Sequence, residues 1–170
     1  MELSERYGQE APTPSAANAH ETIRYIFDET QRRAFASTKG LTETDLEHDP
    51  GHGAWPIGNI LNHQLFLVWF MLDTLKPGSA NDLPRPNFSD RGDLDLAYIL
   101  EMRETLAERF REVLKSVTPE VFMEKRPDLP PEGWSDWPVL MRILRPLTDL
   151  ATHTGQVNYA RRQLGKPVGG

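Results

Sequence analysis

The chain has 170 residues, a formal net charge of −6 and no cysteine. A domain of that size buries a full core without metal or disulfide staples, and the missing cysteines exclude disulfides, thiolate metal sites and a cysteine nucleophile. With 38% hydrophobic and 26% charged residues the composition is that of an ordinary globular protein, and its acidic balance gives no electrostatic pull toward nucleic acid or anionic lipid.

Residues 1–15 read as a flexible N-terminal arm containing Pro12 and Pro14. The opening residues, Met1 to Arg6, lack the apolar stretch of a secretory signal. The longest apolar run, Leu65 to Leu72, is far too short to span a bilayer. A cytoplasmic location is expected, with no membrane partner. Residues 16–170 read as one helical domain, because nothing alternates with period two for long enough to form a strand.

Four helices are predicted. In the first, Ile23, Ile26, Phe27, Thr30 and Ala34 recur at helical spacing, and Gly40 stops it. The second starts near Pro56, a good first-turn residue, and runs to about Lys76. It is apolar almost all round, so it is expected to be buried on several sides. The third starts near Asp93 and carries the stripe Met102, Leu106, Phe110, Val113 and Val117; Pro119 ends it or opens a short extra turn. The fourth starts near Ser135 or Asp136 and ends at Gly165. Pro146 lies inside it and must kink it or mark its true start. Long Pro-rich connections, Pro77–Pro86 and Arg126–Gly133, join these elements. The simplest architecture is an all-α four-helix bundle. The connection between the second and third helices, roughly 16 residues, reaches about 50 Å when extended. That exceeds the about 30 Å length of a 20-residue helix, so the second and third helices can run parallel.

The chemistry rests on histidines. His20, His48 and His52 are easily explained without a metal: His48 and His52 are separated by Asp49-Pro50-Gly51, which is loop sequence and gives no rigid shared face. His63 sits in the most apolar helix. It is either a neutral core histidine with its N–H on a carbonyl or a metal ligand. His153 lies four residues after Asp149, so the two share a helix face and can chelate one cation. The competing reading is a solvated polar strip. If the second and fourth helices are antiparallel, the depths of His63 and His153 match. Trp134 and Trp137 either line a pocket mouth or clamp the Pro-rich loop onto the helices. Arg142, Arg145, Arg161 and Arg162 share one helix but alternate with apolar and acidic positions, so nucleic-acid binding is not expected.

Two segments carry a family resemblance. Trp55-Pro56-Ile57-Gly58-Asn59-Ile60-Leu61-Asn62-His63 is similar to the tryptophan, Ile-Gly and helical histidine of the DinB/YfiT-like metalloenzyme superfamily. His153-Thr154-Gly155-Gln156, followed by Arg161-Arg162 and Leu164-Gly165, resembles that family's closing helix. The resemblance covers about residues 16–166. It implies an up-down-down-up bundle, a homodimer and a divalent metal held by three histidines. Two of these fall on His63 and His153. The third falls on Asp149, which either keeps the site as a two-histidine, one-carboxylate set or marks its decay. Such a set suits zinc, nickel, manganese or iron(II). Thr154 stands where the family has arginine. Asn62, Gln64 and Gln156 are candidates to orient ligands or substrate. The resemblance further implies a metal-dependent transferase, isomerase or hydrolase acting on a small-molecule substrate in detoxification or stress response. It can involve a low-molecular-weight thiol whose sulfur the metal acidifies. The alternative is a non-catalytic, dimeric ligand-binding bundle with a degenerate metal site.

Overall fold

The computed structural model describes residues 19–93, 95–129 and 131–168. The expected arm, 1–15, lies outside the described residues. These residues form five α-helices and two 3₁₀ turns, with one isolated bridge between Lys125 and Pro138 and no strand among them. The protein is all-α. Among the described residues, no helix is long and apolar enough to cross a membrane.

Helix α1 (Ala19–Ala36) buries Ile23, Phe27, Thr30 and Ala34, the expected stripe. Ile26 lies at its edge and is exposed, and Gln31 takes the buried position instead. The turn after α1 ends at Gly40, whose positive φ of 78° suits a residue without Cβ. Helix α2 (Glu43–Leu46) was not foreseen. It is set by a capping box, in which the Thr42 backbone N–H donates to Asp45 Oδ2 (2.6 Å) and the Thr42 hydroxyl bonds the same oxygen (2.8 Å).

Helix α3 (Ile57–Leu75) follows Pro56 as expected and is buried on most of its faces. Helix α4 (Leu96–Ser116) begins after Asp95, whose side chain accepts from the Tyr98 N–H at 2.7 Å. Pro119 opens the first 3₁₀ turn, Pro119–Met123. The second turn, Glu132–Trp134, leads to α5 (Val139–Gln163). That helix starts later than Ser135, because Trp134 and Trp137 are taken up in a turn where their rings stack at 4.9 Å. Trp134 also meets Phe70 of α3 edge-on, so the pair clamps the loop onto the helices. Pro146 neither starts nor interrupts α5; it is buried inside it. The proline removes one backbone hydrogen bond there, and packing of α5 on α3 and α1 holds the helix across the gap.

Each long helix packs on two others: α1 on α4 and α5, and α3 on α4 and α5. Named contacts fix their directions. His20 and Asp28 of α1 bond Val117 and Arg111, so α1 and α4 are antiparallel. Gln64 meets Thr154 near the start of α3, and Phe70 further along meets Trp134 before α5, so these two helices are antiparallel. Gln64 also meets Arg103, and Ser79 beyond α3 meets Arg109, so α3 and α4 run parallel. The core between them includes Phe27 and Phe110, stacked at 4.1 Å.

Candidate functional site

His63 projects from the second turn of α3 and His153 from the third turn from the end of α5. Antiparallel packing brings the two rings edge-on, with centroids 4.7 Å apart. The 84–92 segment lies against the start of α3 and is tied to it by backbone carbonyls. Asn62 Nδ2 donates to Asn87 O (2.8 Å) and Asp90 O (3.0 Å). His63 Nδ1 bonds Phe88 O at 2.5 Å. A carbonyl can only accept, so in the neutral ring Nδ1 carries the proton and Nε2 carries the lone pair. His153 Nδ1 bonds Gln156 Oε1 at 2.7 Å, which sets the same tautomer on the second ring.

Aromatic side chains wall the pair. Trp55 stacks on His153 with an interplanar angle of 8° and meets His63 edge-on at 5.1 Å. Phe88 and Phe66 complete the wall around His63. His63 is only 5% exposed. Its burial holds its pKa below the ordinary histidine value. The Phe88 carbonyl opposes that shift, His153 adds to it and the Asp149 carboxylate opposes it. The net direction favours a neutral imidazole, the form that binds a cation.

A buried histidine on a carbonyl is also what a purely structural histidine looks like. The second imidazole sets this one apart: both rings have Nδ1 held by an oxygen, and no described residue bonds either Nε2. Nitrogen donors oriented through their other nitrogen are the usual pattern of metal-binding histidines, so the histidine pair fits a borderline divalent cation.

Asp149 lies near enough to act electrostatically on His63, but its Oδ2 pairs with Arg145 Nε at 3.3 Å. Among the described residues, no group of three or more His, Asp or Glu side chains is gathered as a metal site.

The three supporting residues fall in different places. Gln156 touches His153, and Asn62 anchors the segment that supplies the Phe88 carbonyl. Gln64 faces away from both imidazoles, into the core, where it bonds Thr154 and Arg103. Thr154 is buried there and donates to Leu150 O at 2.8 Å. The remaining histidines are engaged elsewhere or in a loop: His20 with Val117 O, His48 with Gln163, and His52 in a left-handed turn at φ 57°. The arginines of α5 are divided between core and surface. Arg142 donates to Arg126 O and Leu129 O, and Arg161 to Ser37 O, Lys39 O and Lys166 O. Both are buried.

Phe88 escaped the sequence reading. Its contribution to His63 is a backbone carbonyl, which any residue type supplies. Arg103 escaped as well, although it stands four residues after Ile99 and seven before Phe110, on the apolar face of α4; a charged residue in that stripe was the signal.

The molecule is thus an all-α protein with a histidine pair, His63 buried and His153 half-buried, at a helix–helix seam. The family model described as the DinB superfamily matches residues 26–157, and the chain belongs to that superfamily. No curated protein matches it.

Proposed function

We propose that this chain is a divalent-metal-dependent enzyme of the DinB type, in which His63, His153 and Asp149 hold the cation. The carrying observation is the 4.7 Å approach of two imidazoles, each with Nδ1 already bonded to an oxygen. The four long helices are read as the up-down-down-up bundle of that family, in agreement with the helix directions described above. Zinc or nickel suits the donor set best, with manganese or iron(II) also accommodated.

Three protein ligands leave a coordination position for water or substrate. A cation there supplies Lewis acidity, lowering the pKa of a bound water or thiol and polarising a carbonyl. The chain's own residues do the positioning. Phe88 O and Gln156 fix the two rings. Trp55, Phe66 and Phe88 restrict water around them and offer flat apolar surface to a small-molecule substrate. A low-molecular-weight thiol provides the sulfur that a chain without cysteine lacks, for transfer, isomerisation or hydrolysis in detoxification or stress response. The protein is read as a cytoplasmic homodimer.

Metal content, measured by mass spectrometry on untagged protein, tests this reading. The wild type should carry near-stoichiometric zinc, nickel or manganese after loading. His63→Ala and His153→Ala should lose it while the far-ultraviolet circular dichroism stays helical, and Asp149→Ala should lower it. Full occupancy in either histidine variant, or no uptake by the wild type, sinks the assignment and turns attention to the bundle as a ligand-binding protein.

A further inference from the structure

Arg103 of α4 is 5% exposed, and no described carboxylate lies within ion-pair distance of it. Burial alone pushes its pKa down to about 10, so at neutral pH it is still a cation. Its Nε and Nη1 are buried without a partner among the described residues. Its one side-chain bond among the described residues is from Nη2 to Gln64 Oε1, at 2.6 Å. A buried charge kept so poorly paired is costly, and apolar residues of similar volume often replace such groups without loss of stability. Fold stability is therefore a weak explanation for it. The best-attested use of buried polar groups is to specify register.

The bonds around Arg103 have the form that such a role needs. Gln64 Nε2 donates to Thr154 Oγ1 at 3.2 Å, and Thr154 Oγ1 donates to Leu150 O at 2.8 Å. Every link has one direction only. A guanidinium cannot accept, so Gln64 must turn its oxygen to Arg103 and its amide nitrogen to α5. The Thr154 hydroxyl has spent its proton on Leu150 O, so toward Gln64 it can only accept. Without the arginine, the Thr154 acceptor alone would hold the Gln64 amide in this orientation.

The relay joins α4, α3 and α5 one residue away from the imidazole pair. Gln64 directly follows His63, and Thr154 directly follows His153. Each helical residue advances about 1.5 Å and about 100°. Holding Gln64 against Thr154 therefore constrains both the rotation and the axial register in which His63 meets His153.

We propose that Arg103 is a positioning residue for the His63–His153 pair, acting through Gln64 and Thr154. The purpose of the pair rests on the proposed function, but the positioning itself can be read without metal. The test is nuclear magnetic resonance of the metal-free protein with labelled histidines, following the ring-to-ring Overhauser effect and the His63 Nδ1 proton. Three variants are compared with wild type: Arg103→Met, Arg103→Met with Gln64→Leu, and Thr154→Val. The double variant leaves no relay group unpaired, so it should keep its thermal midpoint within a few degrees.

All three variants should weaken the Overhauser effect and broaden the Nδ1 proton, and cobalt(II) affinity should fall about tenfold or more. An unchanged ring signature in Arg103→Met, or in both the double variant and Thr154→Val, overturns the proposal, as does a wild type with no ring-to-ring effect. A wild type that shows the effect, loses it in the variants and yet takes up no cobalt leaves the positioning role standing. That result would instead overturn the metal reading.

Discussion

On the His63 ring, one nitrogen is spent on Phe88 O, which fixes the tautomer of the neutral ring, and burial lowers its pKa. Residue type and helix position made it a candidate, but the partner of each nitrogen is a matter of three-dimensional placement. Glu29 offers a cleaner titration. Arg32 bonds both of its oxygens and Arg33 bonds one, at 2.7–2.8 Å, and these cations lower its pKa from 4.5 to about 2 against an opposing burial effect. The folded state therefore binds the Glu29 proton less readily than the unfolded chain does. The resulting stabilisation is full above pH 4.5 and is lost as pH falls toward 2. Glu29→Gln should flatten the decline in thermal midpoint over that window, as followed by circular dichroism; an unchanged slope would remove Glu29 from the acid response.

Among the elements, the starts of the helices follow local chemistry. Asp95 accepts the Tyr98 N–H, so Asp95→Ala should cost about 1 kcal/mol. In a chain of this length that lowers the thermal midpoint by about 2–4 °C, and calorimetry would detect it. Thr42 and Asp45 carry the capping-box signature that could have revealed α2. A four-residue helix has no apolar period, so hydrophobic spacing passed over it. The start of α5 was misplaced for a tertiary reason, since the stack of Trp134 on Trp137 and the contact with Phe70 hold that stretch in a turn. Gly58 is another case: a Cβ there would collide with the side chain of Arg91, which crosses α3 to reach Glu47. The Ile-Gly of the sequence motif thus leaves room for a residue that lies far away in the chain.

Over the whole molecule, stability rests on contacts between remote segments. Phe27 of α1 and Phe110 of α4 are fully buried and stacked. Phe27→Ala should cost about 3–5 kcal/mol, because the cavity adds to the lost transfer free energy. Urea denaturation would show this as a lower midpoint, and a change below about 1 kcal/mol would mean that the core closes over the gap. The sequence by itself determined the all-α class, the four long helices to within a few residues, and the superfamily. Apolar spacing, prolines and caps act over a few neighbouring residues and survive reading in one dimension. The parallel run of α3 and α4 was legible as a permitted arrangement, because the connection is long enough to allow it. Only the tertiary structure decided that His63 meets His153, that Asp149 pairs with Arg145, and which carbonyls Arg142 and Arg161 reach. Each of these depends on the rotation of one helix against another. That rotation is constrained by interior packing, by side-chain bonds such as Gln64–Thr154 and by bonds to backbone carbonyls, and a carbonyl has the same chemistry at every position in the chain.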